Sequence, residues 1–189
     1  MKKVTNRRTS GIPAGATILH YDDRGKNAIR SLSSLLRGVP YENCPNHVST
    51  YVGGGKGSII EAIIPFVQES PLKKYMKKGE RIEVIVYDLT QTKVEIVKAY
   101  LYGAIGKIYD IGAIPAFIIR ILPRWLVRML PIIREIRPGS WANFCSELDV
   151  EAHERAGVKI SDYPASETMP VDIRVHALSV GISPRQIWP

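Results

Sequence analysis

A thiol, an imidazole and a carboxylate stand in this chain in settings that suit nucleophilic chemistry. The run Trp141-Ala142-Asn143-Phe144-Cys145-Ser146-Glu147-Leu148 places Cys145 where a helix is predicted to begin. A thiol attacks as its thiolate, and a helix N-terminus favours that form through its partial positive charge and free N–H groups. Asn143 is a good N-cap and would put Cys145 in the first turn, where its own backbone N–H could meet a developing oxyanion. Far upstream, Asn46-His47-Val48-Ser49-Thr50-Tyr51-Val52 reads as a strand with an imidazole at its start. The loop Gly53-Gly54-Gly55-Lys56-Gly57 then leads into Ile59-Ile60-Glu61-Ala62, a second strand carrying a carboxylate. His47 and Glu61 lie seven residues either side of Gly54. They are therefore expected near-opposite on one sheet face, unless a bulge moves the register. Taken singly, these are a buried structural cysteine, a strand-edge histidine and a salt-bridged glutamate. The trio together points to a thiol nucleophile, a base and a group that orients the base, which must meet in space rather than in sequence.

Other polar residues divide between this site and the scaffold. The Tyr109 hydroxyl could serve an oxyanion or orient the thiol; a half-buried core tyrosine is the plainer role. Glu147 suits the first turn of its helix as an acid near a positive dipole end, and Asp110 suits a cap or a loop. His153 follows Cys145 by two helical turns, too far along the axis to be its base. His20 and His176 fall in strand candidates and read as structural. Cys44-Pro45-Asn46-His47 has a spacing that metals use, but no second pair completes it; Cys44 reads as a loop thiol, and no metal or organic cofactor is implied. The glycine run lacks the Gly-x-x-x-x-Gly-Lys-Ser/Thr order and no helix follows it, so it is assigned to the hairpin.

The elements that must position these groups follow from periodicity. Ala16 to His20 is a short strand candidate. After Asp22 or Asp23, Ile29, Leu32, Leu35 and Leu36 recur at three and four in a helix that Gly38 and Pro40 end. Residues 82–88 are the clearest strand. Thr90 or Thr92 then caps a helix carrying Val94, Val97, Leu101 and Ala104 on one face. A helix from about Asn143 to Ala156 ends at Gly157. Val171 to His176 alternates like a last strand. The expected class is α+β: a small antiparallel sheet or partial barrel packed against helices, with the cysteine helix against the histidine strands.

At 189 residues and 45% apolar composition, the chain can bury a real core. Residues 1–13 read as a flexible basic arm and 14–189 as one domain. Two cysteines make no disulfide framework and suit a reducing compartment. The basic N-terminus lacks the apolar run of a signal peptide, so the expectation is a cytoplasmic protein. The net charge of +8 suits nucleic acid, an anionic membrane surface or an acidic partner. No zinc-finger spacing or aromatic-interleaved basic run points to nucleic acid. Residues 111–137 stand apart as an apolar helical insert, broken by Pro115, Pro123 and Pro131 and crossed by Arg120, Arg124 and Arg128 on one face. Three arginines argue against a membrane span and leave a lid, an amphipathic surface segment or a packed insert.

His47-Val48 with its aliphatic strand, the glycine hairpin, Ile60-Glu61-Ala62, Gly106-Lys107-Ile108-Tyr109-Asp110 and Phe144-Cys145-Ser146-Glu147-Leu148 occur in an order that resembles the circularly permuted papain-like cysteine enzymes. These form the YiiX-like and lecithin-retinol-acyltransferase-like branch of the NlpC superfamily. The resemblance spans roughly residues 15–175. It implies a permuted papain-like fold, with the family's histidine, third polar residue and cysteine at His47, Glu61 and Cys145. Its Tyr-Asp pair falls on Tyr109 and Asp110, the tyrosine lining the active site. The implied activity is a thiol hydrolase or acyltransferase that works through an acyl-enzyme on an amide, ester or thioester of a cell-wall peptide or a lipid-like acyl group. A non-catalytic membrane-surface or partner-binding module on the same scaffold is the reading from another class. Three departures are plain. The opening strand reads Gly15-Ala16-Thr17-Ile18-Leu19 where the family usually has Gly-Asp-Ile-Leu, Ser49 stands after His-Val where the family usually has a small apolar residue, and the stretch between Asp110 and Cys145 is long and apolar.

Overall fold

Gly53 and Gly54 both take φ near +84°, a region that glycine enters freely and other residues avoid. They turn the chain out of β2 (His47–Gly53) and towards β3 (Ser58–Ile63), its antiparallel neighbour. This is a computed structural model that describes residues 11–22, 28–54, 57–76, 80–109, 142–143 and 145–188. Around the hairpin lie β1 (Ala16–Asp22), β4 (Phe66–Pro71), β5 (Glu80–Ile85), β6 (Ile108–Tyr109), β7 (Ala142–Asn143) and β8 (Arg185–Trp188). Four α-helices are described: α1 (Ala28–Arg37), α2 (Gln91–Ala104), α3 (Cys145–Arg155) and α4 (Pro170–Ser179). The strand order is β7-β6-β4-β3-β2-β1-β5-β8. The sheet is open, with β7 and β8 at its ends, rather than a partial barrel. Every described neighbour pair is antiparallel except β6 with β7.

The sheet is the middle layer, because its central strands bury both faces. One face carries Leu19, Val48, Val52, Ile60 and Ala62 into clusters with Leu101 and Val97 of α2 and Leu148, Val150 and Ala152 of α3. The other carries Ile18, Tyr51, Ile59, Ile82 and Val84 against Leu72 and Ile12. Ile12 is thus packed in the core, while the rest of the basic arm, through residue 10, lies outside the described residues. So does the 111–137 insert. The chain leaves towards it at Tyr109 and returns at Asn143, which pair side by side. No described helix is long and apolar enough to cross a membrane.

Local signals explain most elements. Thr90 caps α2 by accepting from Lys93 N, and the predicted face of Val94, Val97, Leu101 and Ala104 is the buried one. Gly157, at φ +67°, closes α3 with Val158 N donating to His153 O. Three expectations need correction. Residues 171–176 form part of α4, not a strand. Pro170 occupies its first turn, and Asp172 accepts from Met169 N at 2.8 Å, so a helix start outweighs the apolar alternation. His176 accordingly lies on a helix. Asn143 is not the cap of α3: it is held in β7, and the helix begins at Cys145 itself. β4 and β8, which the residue pattern did not announce, extend the sheet on both sides.

A buried polar bolt fixes α3 to the sheet. Asp149 accepts from Thr17 Oγ1 at 2.7 Å and from Thr50 Oγ1 at 2.5 Å. One turn on, His153 sits 3.4 Å from the same carboxylate and bridges the carbonyls of Asp149 and Gly15. Burial alone would lower the His153 pKa, but the Asp149 carboxylate outweighs it and raises it above 6.5. That contribution to stability is full below pH 6.5 and is lost as pH rises through the raised value. Asp149→Ala strands two hydroxyls and an imidazolium, and is expected to cost about 3–5 kcal/mol in urea unfolding. Equal unfolding midpoints for the variant and the parent would refute this role.

Candidate active site

His47 opens β2, so its side chain stands at the end of the sheet where the N-terminus of α3 arrives. There it meets the side chain of Cys145, which is only 2% exposed. On its other side, His47 Nε2 is 2.9 Å from Glu61 Oε2. His47 therefore stands between the Cys145 side chain and the Glu61 carboxylate. The hairpin reaches this arrangement differently from the expected facing pair. Thr50 pairs with Ile60 and Tyr51 with Ile59, with a register irregularity between Tyr51 and Gly53. Continued along the strands, that register sets Glu61 across from Ser49, two residues from His47. The pair is diagonal on one face, within reach of a long side chain.

Glu61 is completely buried and strongly held. Tyr75 Oη donates to Oε2 at 2.5 Å, and Lys74 Nζ lies 3.3 Å from Oε1. Burial opposes its charge, but the bonds from His47 and Tyr75 prevail and keep the carboxyl well below its ordinary range. Burial likewise opposes a charge on His47, yet its hydrogen bonds with Cys145 and Glu61 carry its pKa up to about 9. At neutral pH His47 is an imidazolium between a carboxylate and a sulfur.

Cys145 and His47 open onto a cavity of about 350 Å³, walled by Ile29, Ala62, Ile63, Ile64 and Ile82, with Asn46, Glu80 and Arg81 as polar lining. Two further residues belong here that the sequence reading did not assign to the site. Tyr75 follows a short 3-10 turn (Leu72–Lys74) after β4 and lays its ring against both His20 and His47, with centroids 4.4 and 6.2 Å away. His20, read as structural, is paired directly with His47 across β1 and β2 and lines the cavity. Only the β1–β2 register reveals it. Tyr109 is placed by its backbone in β6, in register with Asn143, two residues before Cys145. Cys44 lies apart from the cavity lining; its thiol donates to the carbonyls of Val39 and Pro40, and burial raises its pKa.

The fold is YiiX-like. It is similar to the crystal structure of the metalloprotein YiiX (DUF1105) from Escherichia coli O157:H7, with a TM-score of 0.54 and 16% identity over 80% of this chain and 70% of that one. At that identity the likeness is one of fold. No family model and no curated protein matches the sequence. The described residues do not fit a metal centre: no group of three or more His, Cys, Asp and Glu side chains is disposed to hold an ion, and the Glu61 oxygens are engaged by His47, Tyr75 and Lys74.

Proposed function

We propose that this chain is a cysteine-dependent hydrolase or acyltransferase on a permuted papain-like scaffold of the NlpC superfamily. The observation that carries the reading is the placement of His47 between Cys145 and Glu61, with His47 and Cys145 at the wall of a cavity. Glu61 fixes the ring and supports its charge through Nε2, leaving Nδ1 to exchange a proton with sulfur. The imidazolium stabilises the thiolate. Sulfur attacks a carbonyl carbon of an amide, ester or thioester, and the π pair moves to oxygen. The intermediate collapses to a thioester as the leaving group departs, protonated by His47 where it is basic. Water or another nucleophile, deprotonated by His47, then releases the acyl group. The substrate classes are those of the resemblance, a cell-wall peptide or a lipid-like acyl group. The apolar cavity wall suits the acyl part of either.

The test is acylation by 4-nitrophenyl acetate. The protein should release a stoichiometric burst of nitrophenolate and carry an acetyl group that peptide mapping places on Cys145. Cys145→Ala should lose the burst, and Cys44→Ser should keep it. Acetyl on Cys44, or a burst that survives Cys145→Ala, would leave the site a non-catalytic scaffold.

A further inference from the structure

His20 is a buried imidazole beside the reacting pair, with one nitrogen facing no protein partner. It is 4% exposed, its ring centroid lies 5.1 Å from that of His47, and it shares the cavity lining with Cys145. Its Nε2 is 2.7 Å from Ser49 Oγ, whereas its Nδ1 has no hydrogen-bond partner. A buried polar atom left unmatched is unfavourable, and a ligand entering the cavity that His20 lines is one source of the missing partner. One tautomer suits a donor role. The buried Ser49 hydroxyl can donate to Nε2, and in that tautomer the ring proton resides on Nδ1.

We propose that His20 is a second oxyanion donor: its Nδ1–H hydrogen-bonds the substrate's carbonyl oxygen as Cys145 sulfur adds to the carbon. The inference rests on the thiol acyl-transfer reading and adds a group to that site. The ring is held for the task by Tyr75 on one side, by His47 on another and by Ser49 at its far nitrogen. It also stays neutral. Burial and the adjoining His47 charge take its pKa well below 6.5, outweighing the opposing pull of Glu61. A neutral N–H donor stabilises a developing oxyanion without transferring its proton. His20 thus gives up nothing in the step: the S–C bond forms, the C=O π pair becomes the oxyanion, and it returns as the leaving group takes the bond pair.

The test separates reactions that develop an oxyanion from one that does not. 4-Nitrophenyl acetate acylates sulfur through an oxyanion, whereas iodoacetamide alkylates it by direct displacement of iodide. His20→Phe keeps a ring in the slot and removes the N–H. His20→Asn places an amide N–H near the Nδ1 position. His20→Phe should slow acylation by about 10²–10³-fold, and His20→Asn should stay within about tenfold of the parent. Iodoacetamide rates should change by less than about twofold in both, since no oxyanion forms. Circular dichroism checks folding, and His20→Leu carries the same comparison if Phe is not tolerated. Acylation at the parental rate in His20→Phe overturns the proposal. So does a parallel fall in both reactions, which would make His20 only a support for His47. A parent that acylates no faster than Cys145→Ala instead removes the acyl-transfer reading, and this inference with it.

Discussion

Replacing His47 by alanine is expected to slow acylation of Cys145 at neutral pH by about 10²–10⁴-fold, the range of a positioned acid–base group. The imidazolium that meets the sulfur would be gone, and with it the proton carrier for the leaving group. The pH dependence gives a sharper signature. His47 holds its proton up to about 9, so the paired state persists below that value. Above it the ring is neutral and sulfur stands without its counter-charge. A profile of iodoacetamide alkylation against pH should therefore keep substantial rate at neutral pH in the parent and change again near 9, whereas His47→Ala should lose the neutral-pH rate and follow the ionisation of the thiol alone. The sign for stability follows the same shift. The contribution of His47 is full below 6.5 and is lost as pH rises through about 9. If His47→Ala alkylates at the parental rate across this range, His47 is not the partner of the thiol.

Substituting Glu61 should have the largest combined effect on folding and reactivity. Its carboxylate is completely buried and takes bonds from His47 and Tyr75, with Lys74 alongside. Glu61→Gln keeps the shape but removes the charge that balances an imidazolium. Breaking a buried pair from one side costs about 3–5 kcal/mol, which urea unfolding at neutral pH would read. The group has a pH window of its own. Its folded pKa lies well below the unfolded value of 4.5, so its stabilisation is present above 4.5 and is lost as pH falls below. Glu61→Gln should flatten that acid limb. In the alkylation profile, the inflection near 9 should move down towards 6.5, because one of the bonds that raises His47 has lost its charge. An unmoved inflection together with parental stability would reduce Glu61 to a bystander.

In this YiiX-like fold a histidine strand precedes a cysteine helix along the chain. Much of that was legible in residue types. The hairpin needed its glycines, α2 needed Thr90 and its apolar face, and α3 needed Gly157 to end. These signals are local, so the sequence carries them directly. Residues 171–176 were misread because Val171, Ile173 and Val175 alternate as in a strand. The helix that forms buries Val171, Ile173 and Ala177, with Val175 outward. The decision lay in the start signals at Pro170 and Asp172.

By itself, the sequence determined that a thiol, an imidazole and a carboxylate were available on a strand pair and at a helix start. The parity of the hairpin already set His47 and Glu61 on one face. Tertiary structure decided how they meet. The turn centres beyond Gly54 and carries a register irregularity, which together make the expected facing pair a diagonal one, and the pairing of β1 with β2 brought His20 beside His47. A 3-10 turn after β4 carried Tyr75 across to Glu61. Each depends on which residues of distant segments lie opposite one another. That choice is made by packing both faces of the sheet at once, and a one-residue slip would send every side chain to the other side.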